Sequence, residues 1–511
     1  MRIPSLCMKF RHVVPLAIFL FLAAVAGPPA VKMVFAASYY VAPGGSDSAR
    51  GTKARPWATF ARAMAALRPG DTLYLKDGFY HQSLDVRVSG RPGRPIVFRA
   101  VNEGKAIVGT VYPSSPLRIA GQSYVLVEGI NFRNRGPYDG NTYCSTDGAG
   151  YINVHGLNIF GADHIVLKRV TVNGSSGCNS AVIGLSKVRD SLIEDCAGSG
   201  PGRVVLNILD CGNITVRRCW LDWSGPSTGG GDTSSIAQIY DSSHVLMENN
   251  IGLNLTTTPT DDLGIWAHYK DSDHNTFVGN VVYHTQAYSA GGLRDTAEYE
   301  MRSSHSLFED NVAILPVAGA YHSVPADVVG TGHHTSENNT YVGDGGGEGF
   351  LVHERPNRPQ QATDAAVIDC SFINMDAGIY ASSSGNNTVS AHRYNNFYRV
   401  RKCLWNERQM VPRGLDRTEK CNTVDPGYDT AKYGIGGYLI VPAALKGKGQ
   451  GGADIGASVI YRYKNGMLTR VPLWPWPMEA RILAEFHVSP TWQARGGIWK
   501  SLDGIYTQRA K

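Results

Sequence analysis

The stretch "HNTFVGNVVYH", residues 274–284, decides the fold because the chain repeats its pattern. Thirty residues earlier stands "HVLMENNIGLN" from His244, and thirty-one later "HSLFEDNVAIL" from His305, which brings Asn250, Asn280 and Asn311 into register. Upstream the same phrase reads "YVLVEGINFRN" from Tyr124, "HIVLKRVTVNG" from His164, "DSLIEDCAGSG" from Asp190 and "NITVRRCWLDW" from Asn213. Weaker copies begin at His334 and Asp364, making nine in all, enough to define a repeat architecture rather than a single globular core.

Each copy is a short run of Val, Ile, Leu and Phe, a polar turn, and another short apolar run, with no helical period. A unit this small cannot bury its own apolar face. Strands stacked copy on copy do bury it, with apolar side chains pointing inward in columns and backbone hydrogen bonds running between coils. The pattern therefore predicts an all-β, parallel β-helix. The seventh position of the phrase, Ile130, Val170, Cys196, Cys219, Asn250, Asn280 and Asn311, is expected to be a structural turn column, because asparagine tolerates left-handed backbone angles and stacked amides can hydrogen-bond along the stack. Cys196 and Cys219 share that column one strand spacing apart, about 4.8 Å, a distance that permits either a disulfide or two stacked thiols.

Bulk properties set the context. The 511 residues carry a formal charge of +6. The start, with Arg2, Lys9, Arg11, the apolar run "VVPLAIFLFLAAVAG" and the small residues of "VFAAS", reads as a signal peptide cut near Ala36. Removing residues 1–36, with their four basic and no acidic side chains, lowers the charge to +2, so charge supplies no argument for a nucleic-acid partner. The apolar run is short for a membrane span of about 20 residues. Eight of the nine cysteines then remain, in a compartment where disulfides persist, and no CxxC or common zinc spacing occurs. Localisation is expected to be secreted, extracellular or periplasmic.

The front end "YYVAPGGSDSARGTKARPWATFARAMAALRPGDTLYLKDGFY", residues 39–80, resembles the N-terminal cap of the polysaccharide lyase and chondroitinase-B-like branch. With the asparagine ladder, it makes the chain similar to the secreted, right-handed parallel β-helix proteins of the pectate lyase-like superfamily. Within it, "PWATFARAMAALRPGD" reads as a short capping helix from Pro56 through Leu67, stopped at Pro69-Gly70, that covers the first coil's strand edge. The expected organisation is signal peptide 1–36, cap and first coils 37–110, β-helix 111–400, and a closing coil with a capping extension 401–511. That extension contains a hairpin around Asn465-Gly466, the "GADIGA" of 452–457, and "PLWPWPM" with "EARILAEF" expected over the far end.

The resemblance implies a polysaccharide bound along the outer face of one sheet. The strand preceding each phrase identifies the sheet. Gly184 and Ser186, Asn207 and Leu209, Gln238 and Tyr240, and His268 and Lys270 alternate with mostly apolar neighbours, so they are expected outside. In "TAEYEMRSSH" the same register would bury Glu298 and Glu300, and a one-residue bulge that turns them outward avoids the cost of buried carboxylates. Asp261, Asp262, Arg294 and Arg302 from loops, and His322, Glu354 and Arg355 from later coils, extend the polar patch.

This mixture suits chemistry on uronate sugars, where β-elimination needs a base and a cation or metal to hold the developing charge. Lys270, His268 or Tyr240 can serve as base and Arg294 or Arg302 as neutraliser, with Asn207, Gln238, Glu298, Glu300, Arg302, His322, Glu354 and Arg355 binding substrate. The lysine followed by an arginine about one coil later resembles the chondroitinase-B-like branch. That branch's acidic calcium-ligand pattern is not found just upstream of Lys270, and Asp261 and Asp262 are the candidate oxygen ligands for Ca2+ in its place. Two alternatives stay open: a glycoside hydrolase pairing Asp261 or Asp262 with Glu298 or Glu300, and a non-catalytic glycan-binding or adhesin β-helix. The anchor histidines His244, His274 and His305 read as structural, "GDGGGEG" at 343–349 as a loop without phosphate-binding context, and no nucleophile elbow occurs.

Overall fold

The computed structural model describes residues 36–111, 114–135, 154–175, 180–200, 204–223, 235–254, 265–270, 272–284, 304–314, 326–329, 332–343, 345–353, 363–381, 388–406, 411–413 and 419–486. Within them the strands form three long sheets, of 13, 7 and 15 strands, whose neighbours in the coils pair in parallel. Each coil contributes one strand to each sheet: Val204–Leu209, then Gly212–Arg217, then Trp220–Trp223, and one coil later Ser235–Tyr240, Ser243–Glu248 and Ile251–Asn254. The chain is an all-β, right-handed parallel β-helix.

The repeat phrase maps onto this geometry with one change in how its turns work. Its first residue takes a left-handed backbone, as at His164, His244, His274 and His305 (φ 53°, 57°, 54° and 55°). So does the residue before the ladder position, as at Asp195, Arg218, Asn249 and Asp310 (φ 53°, 51°, 52° and 51°). The ladder asparagines themselves are not left-handed; they are buried acceptors and donors. Asn280 Nδ2 donates to the Met247 carbonyl (2.9 Å) and to Asn311 Oδ1 (2.9 Å), while its Oδ1 accepts from Asn250 N (2.9 Å) and Nδ2 (3.0 Å). Asn311 repeats the pattern on Asn339 Oδ1 (3.0 Å). Asn280 is fully buried, so Asn280→Ala should leave several polar groups unpaired and lower the unfolding free energy by about 2–3 kcal/mol, read from urea-denaturation midpoints.

The anchor histidines stack outside the coils, with ring centroids 5.3 Å apart for His244 and His274 and 4.8 Å for His274 and His305. Their continuation is His333, not His334. Leu307 pairs with Thr335, which sets His333 one coil above His305 and places Asn339 on the ladder. The expected copy beginning at His334 is therefore offset by one, and His334 falls on the inward side, where it is 1% exposed. Neither of its ring nitrogens has a partner among the described residues, and burial, with the nearby His305 and His333, pushes its pKa down to about 4. Because the folded value lies below the ordinary 6.5, stability present above pH 6.5 is lost as pH falls toward 4. His334→Leu should stabilise the fold by about 1–3 kcal/mol at pH 7. Its advantage over the natural chain should widen between pH 6.5 and 4, which thermal unfolding midpoints at pH 7 and pH 5 would check.

The six described cysteines are all free thiols. Of the two arrangements open to Cys196 and Cys219, the structure has stacked thiols: Cys196 donates to the Glu194 carbonyl (3.3 Å) and Cys219 to that of Arg217 (3.4 Å).

The capping helix is shorter than its sequence suggests, running Phe60–Ala66 with Thr59 as N-cap, its hydroxyl accepting from Arg62 N (3.1 Å). Pro56 stays outside because the adjoining Trp57 bridges to Val41 and is buried.

After residue 419 the chain turns back along the outer face of the 15-stranded sheet. That face is apolar, with Ala197, Trp220, Ile251, Leu253, Val281 and Val312 packed under Leu439, Val459, Leu473, Trp474, Trp476 and Ile482. The strap is fastened by polar contacts: Asp369 accepts from Gln450 N (2.8 Å), Asp310 from the Tyr463 hydroxyl, and Glu248 from Asn465 N (3.2 Å) and Gly466 N (2.9 Å). Burial raises the Asp310 carboxyl to about 7 and the Asp369 carboxyl to about 6. The expected Asn465-Gly466 hairpin is present, both residues left-handed. The helix Glu479–Phe486 lies not over the far end but against the first coils, where Glu485 takes Arg133 (2.8 Å) and Arg481 takes Asn131 (2.9 Å).

Candidate functional site

The seven-stranded sheet runs Leu84–Val86, Leu117–Ala120, Leu157–Phe160, Ala181–Ser186, Val204–Leu209, Ser235–Tyr240 and Ile265–Lys270. Ile119, Ile159, Leu185, Ile208 and Ile239 belong to the interior core, so the residues between them face out. Cα register aligns Asp85, Arg118, Asn158, Gly184, Asn207, Gln238 and His268 in one column. A second column aligns Ala120, Phe160, Ser186, Leu209, Tyr240 and Lys270. Asn207, Gln238 and Tyr240 thus lie side by side on the outer face, and His268 and Lys270 take the next register positions.

Arg118 at the start of the first column is held by Asp85 (3.2 Å). Half-exposed Phe160 in the second carries the Lys187 ammonium 6.0 Å from its ring centroid. Arg294, Glu298, Glu300, Arg302, His322, Glu354 and Arg355, and the candidate calcium ligands Asp261 and Asp262, lie outside the described residues. Among the described residues no group of three or more His, Cys, Asp or Glu side chains is arranged to hold a metal ion. Apart from Asp85, which is held by Arg118, the described columns offer amides and a phenol rather than the carboxylate set calcium prefers.

One residue of this face was not legible in the sequence. Gly184 interrupts the first column, and the ring of His155 fills the gap: a Cβ built on Gly184 would sit 2.9 Å from Cγ and 3.1 Å from Cδ2 of that ring. His155 Nδ1 accepts the backbone N–H of Ala181 (2.9 Å), and burial holds its pKa below the ordinary imidazole value. The available signal was the glycine itself, since a missing side chain in an otherwise polar column marks a close approach.

A cavity of about 410 Å3 lies at the first coils, with Phe79, His81, Thr110 and Arg133 among its lining. Its guanidinium is already taken by Glu485, which accepts from Arg133 Nε (2.8 Å) and Nη2 (2.9 Å).

The described residues thus form a parallel β-helix with polar side chains at outward positions of its seven-stranded sheet. Residues 39–197 match the family model described as Pel9A-like, right handed beta helix region. Over those residues the chain resembles the pectate lyase-like parallel β-helix proteins. It is similar to the uncharacterized protein YwoF of Bacillus subtilis, 34% identical over 101 residues, covering 19% of this chain and 22% of that protein. It is also similar to pectate lyase L of Dickeya dadantii, 35% identical over 85 residues, covering 15% of this chain and 20% of that one. The matches thus span only about a fifth of these relatives' length. Among solved structures, a lacto-N-biosidase from Eubacterium ramulus superposes with TM-score 0.42 at 14% identity over 70% of this chain and 68% of that one.

Proposed function

We propose that this chain is a secreted carbohydrate-active enzyme, a polysaccharide lyase or related uronate-modifying enzyme, with its substrate laid along the outer face of the seven-stranded sheet. The observation that carries this reading is the register of Asn207, Gln238 and His268 in one column beside Tyr240 and Lys270 in the next. Successive coils repeat the same outward positions at the strand spacing of about 4.8 Å, so an extended polymer meets a row of polar groups.

In the proposed elimination, the Lys270 amine takes the proton on the carbon next to the uronate carboxylate. The electron pair forms the new C=C bond, the glycosidic C–O bond breaks, and the departing oxygen takes a proton from water, the resulting hydroxide being neutralised by the Lys270 ammonium. Arg294 offsets the charge that grows on the carboxylate, and Asn207 and Gln238 hold sugar hydroxyls. Calcium held by Asp261 and Asp262 would supply the same charge neutralisation.

The test is to incubate the protein with a panel of uronate and neutral polysaccharides, following ultraviolet absorbance of unsaturated product alongside reducing ends. Absorbance growing in step with reducing ends is the expected result. Reducing ends without absorbance would replace elimination by hydrolysis, and binding without product would leave a glycan-binding protein. Activity that falls on chelation and returns with Ca2+ would support the calcium assignment.

A further inference from the structure

We propose that His155 is a substrate-binding residue of the polar face, its Nε2–H donating to an acidic sugar lying across the strands that carry Asn158, Gly184 and Asn207. The inference rests on the carbohydrate-binding reading of this sheet and adds a residue from outside the strands themselves.

Three observations carry it. His155 belongs to the segment leading into the strand Leu157–Phe160, yet its ring lies over Gly184 of the following coil, in the column that joins Asn158 to Asn207. The column therefore runs Asn158, the His155 imidazole, Asn207 and Gln238 without an empty place.

The second observation fixes the tautomer. Nδ1 accepts the Ala181 N–H at 2.9 Å, so it cannot carry a proton, and in the neutral ring the proton must sit on Nε2. Burial favours that neutral ring. Nε2 has no partner among the described residues, although every other hydrogen-bonding position of the ring is used.

Third, the arrangement depends on residue 184 being glycine. With any Cβ there, ring atoms 2.9–3.3 Å away would have to move, so Gly184 and His155 form one unit. A donor held at a fixed tautomer and orientation recognises a carboxylate or hydroxyl oxygen without first losing rotamer freedom.

Two substitutions separate recognition from folding. His155→Asn keeps an acceptor for the Ala181 N–H, because Asn Oδ1 stands where Nδ1 does, but removes the Nε2 donor. Gly184→Ala leaves the imidazole in place chemically and displaces it sterically. Binding of the full chain to galacturonate, mannuronate and glucuronate oligosaccharides would be measured by titration calorimetry, with thermal midpoints taken in parallel. The expected result is that the oligosaccharide bound by the natural chain binds about tenfold to hundredfold more weakly to both variants, while the His155→Asn midpoint is unchanged. Natural affinity in both variants would overturn the inference and leave the polar face intact. Failure of the natural chain to bind any uronate would remove the polar-face reading, and this inference with it.

Discussion

Replacing Arg218 by leucine is expected to lower the unfolding free energy by about 3–5 kcal/mol, among the largest effects of any single substitution in the coils. The side chain is 7% exposed as a residue and sits at a left-handed turn position. Its Nε donates to Asp195 Oδ1 (2.6 Å) and its Nη2 to Glu194 Oε1. Glu194 also takes Arg217 (2.9 Å) and Lys168 (3.3 Å). Burial works against the Glu194 charge, but the Arg218 hydrogen bond and the charges of Arg217, Arg218 and Lys168 outweigh it and hold the carboxyl at about 2. With the folded value below the ordinary 4.5, the stabilisation is fully present above pH 4.5 and lost as pH falls through 2. Arg218→Leu removes the strongest partner of Glu194, which keeps Arg217 and Lys168, and takes from the Asp195 carboxylate the guanidinium it accepts from. The deficit against the natural chain should therefore be full at pH 7 and shrink as pH falls through 2, below which Glu194 is protonated in both. Denaturation midpoints across that range test it, and a deficit independent of pH would point to lost packing instead.

Replacing Lys270 by alanine is expected to lower the elimination rate on the responsive polysaccharide by roughly 10²–10⁴-fold, the usual range for loss of a positioned base. The fall should lie in kcat with little change in KM, because a base acts on the proton in the transition state, whereas the binding role proposed for Asn207 and Gln238 would act on the bound sugar. Lys270 closes the strand Ile265–Lys270, in register with Tyr240 one coil below and in the seven-stranded sheet rather than at the turn that carries the ladder asparagines. Full activity in Lys270→Ala would remove it from the mechanism and shift the base to His268 or Tyr240. A parallel rise in KM would mark it as a binding residue only.

Particular residues show how far the sequence could be read. The outward assignment of Asn207, Gln238 and Tyr240 followed from period-two alternation, and the register agrees because strands of equal period stack without slippage. The phrase located His244, His274 and His305 as structural for the same reason. It misplaced the next histidine, since "HH" at 333–334 gives two candidates and only the pairing of Leu307 with Thr335 selects between them. His155 escaped notice because nothing local distinguishes it. Its meaning comes from Gly184, almost thirty residues away in sequence and adjacent in space.

The repeat, the inward and outward faces and the ladder were thus set by the sequence alone, because each depends on interactions between equivalent positions of neighbouring coils. The course of the strap, the free state of Cys196 and Cys219, and the imidazole over Gly184 were decided only by tertiary structure. Arg133 and Glu485 meet across 352 residues. Contacts at that separation leave no periodic trace, because their partners are chosen by the shape and polarity of a finished surface.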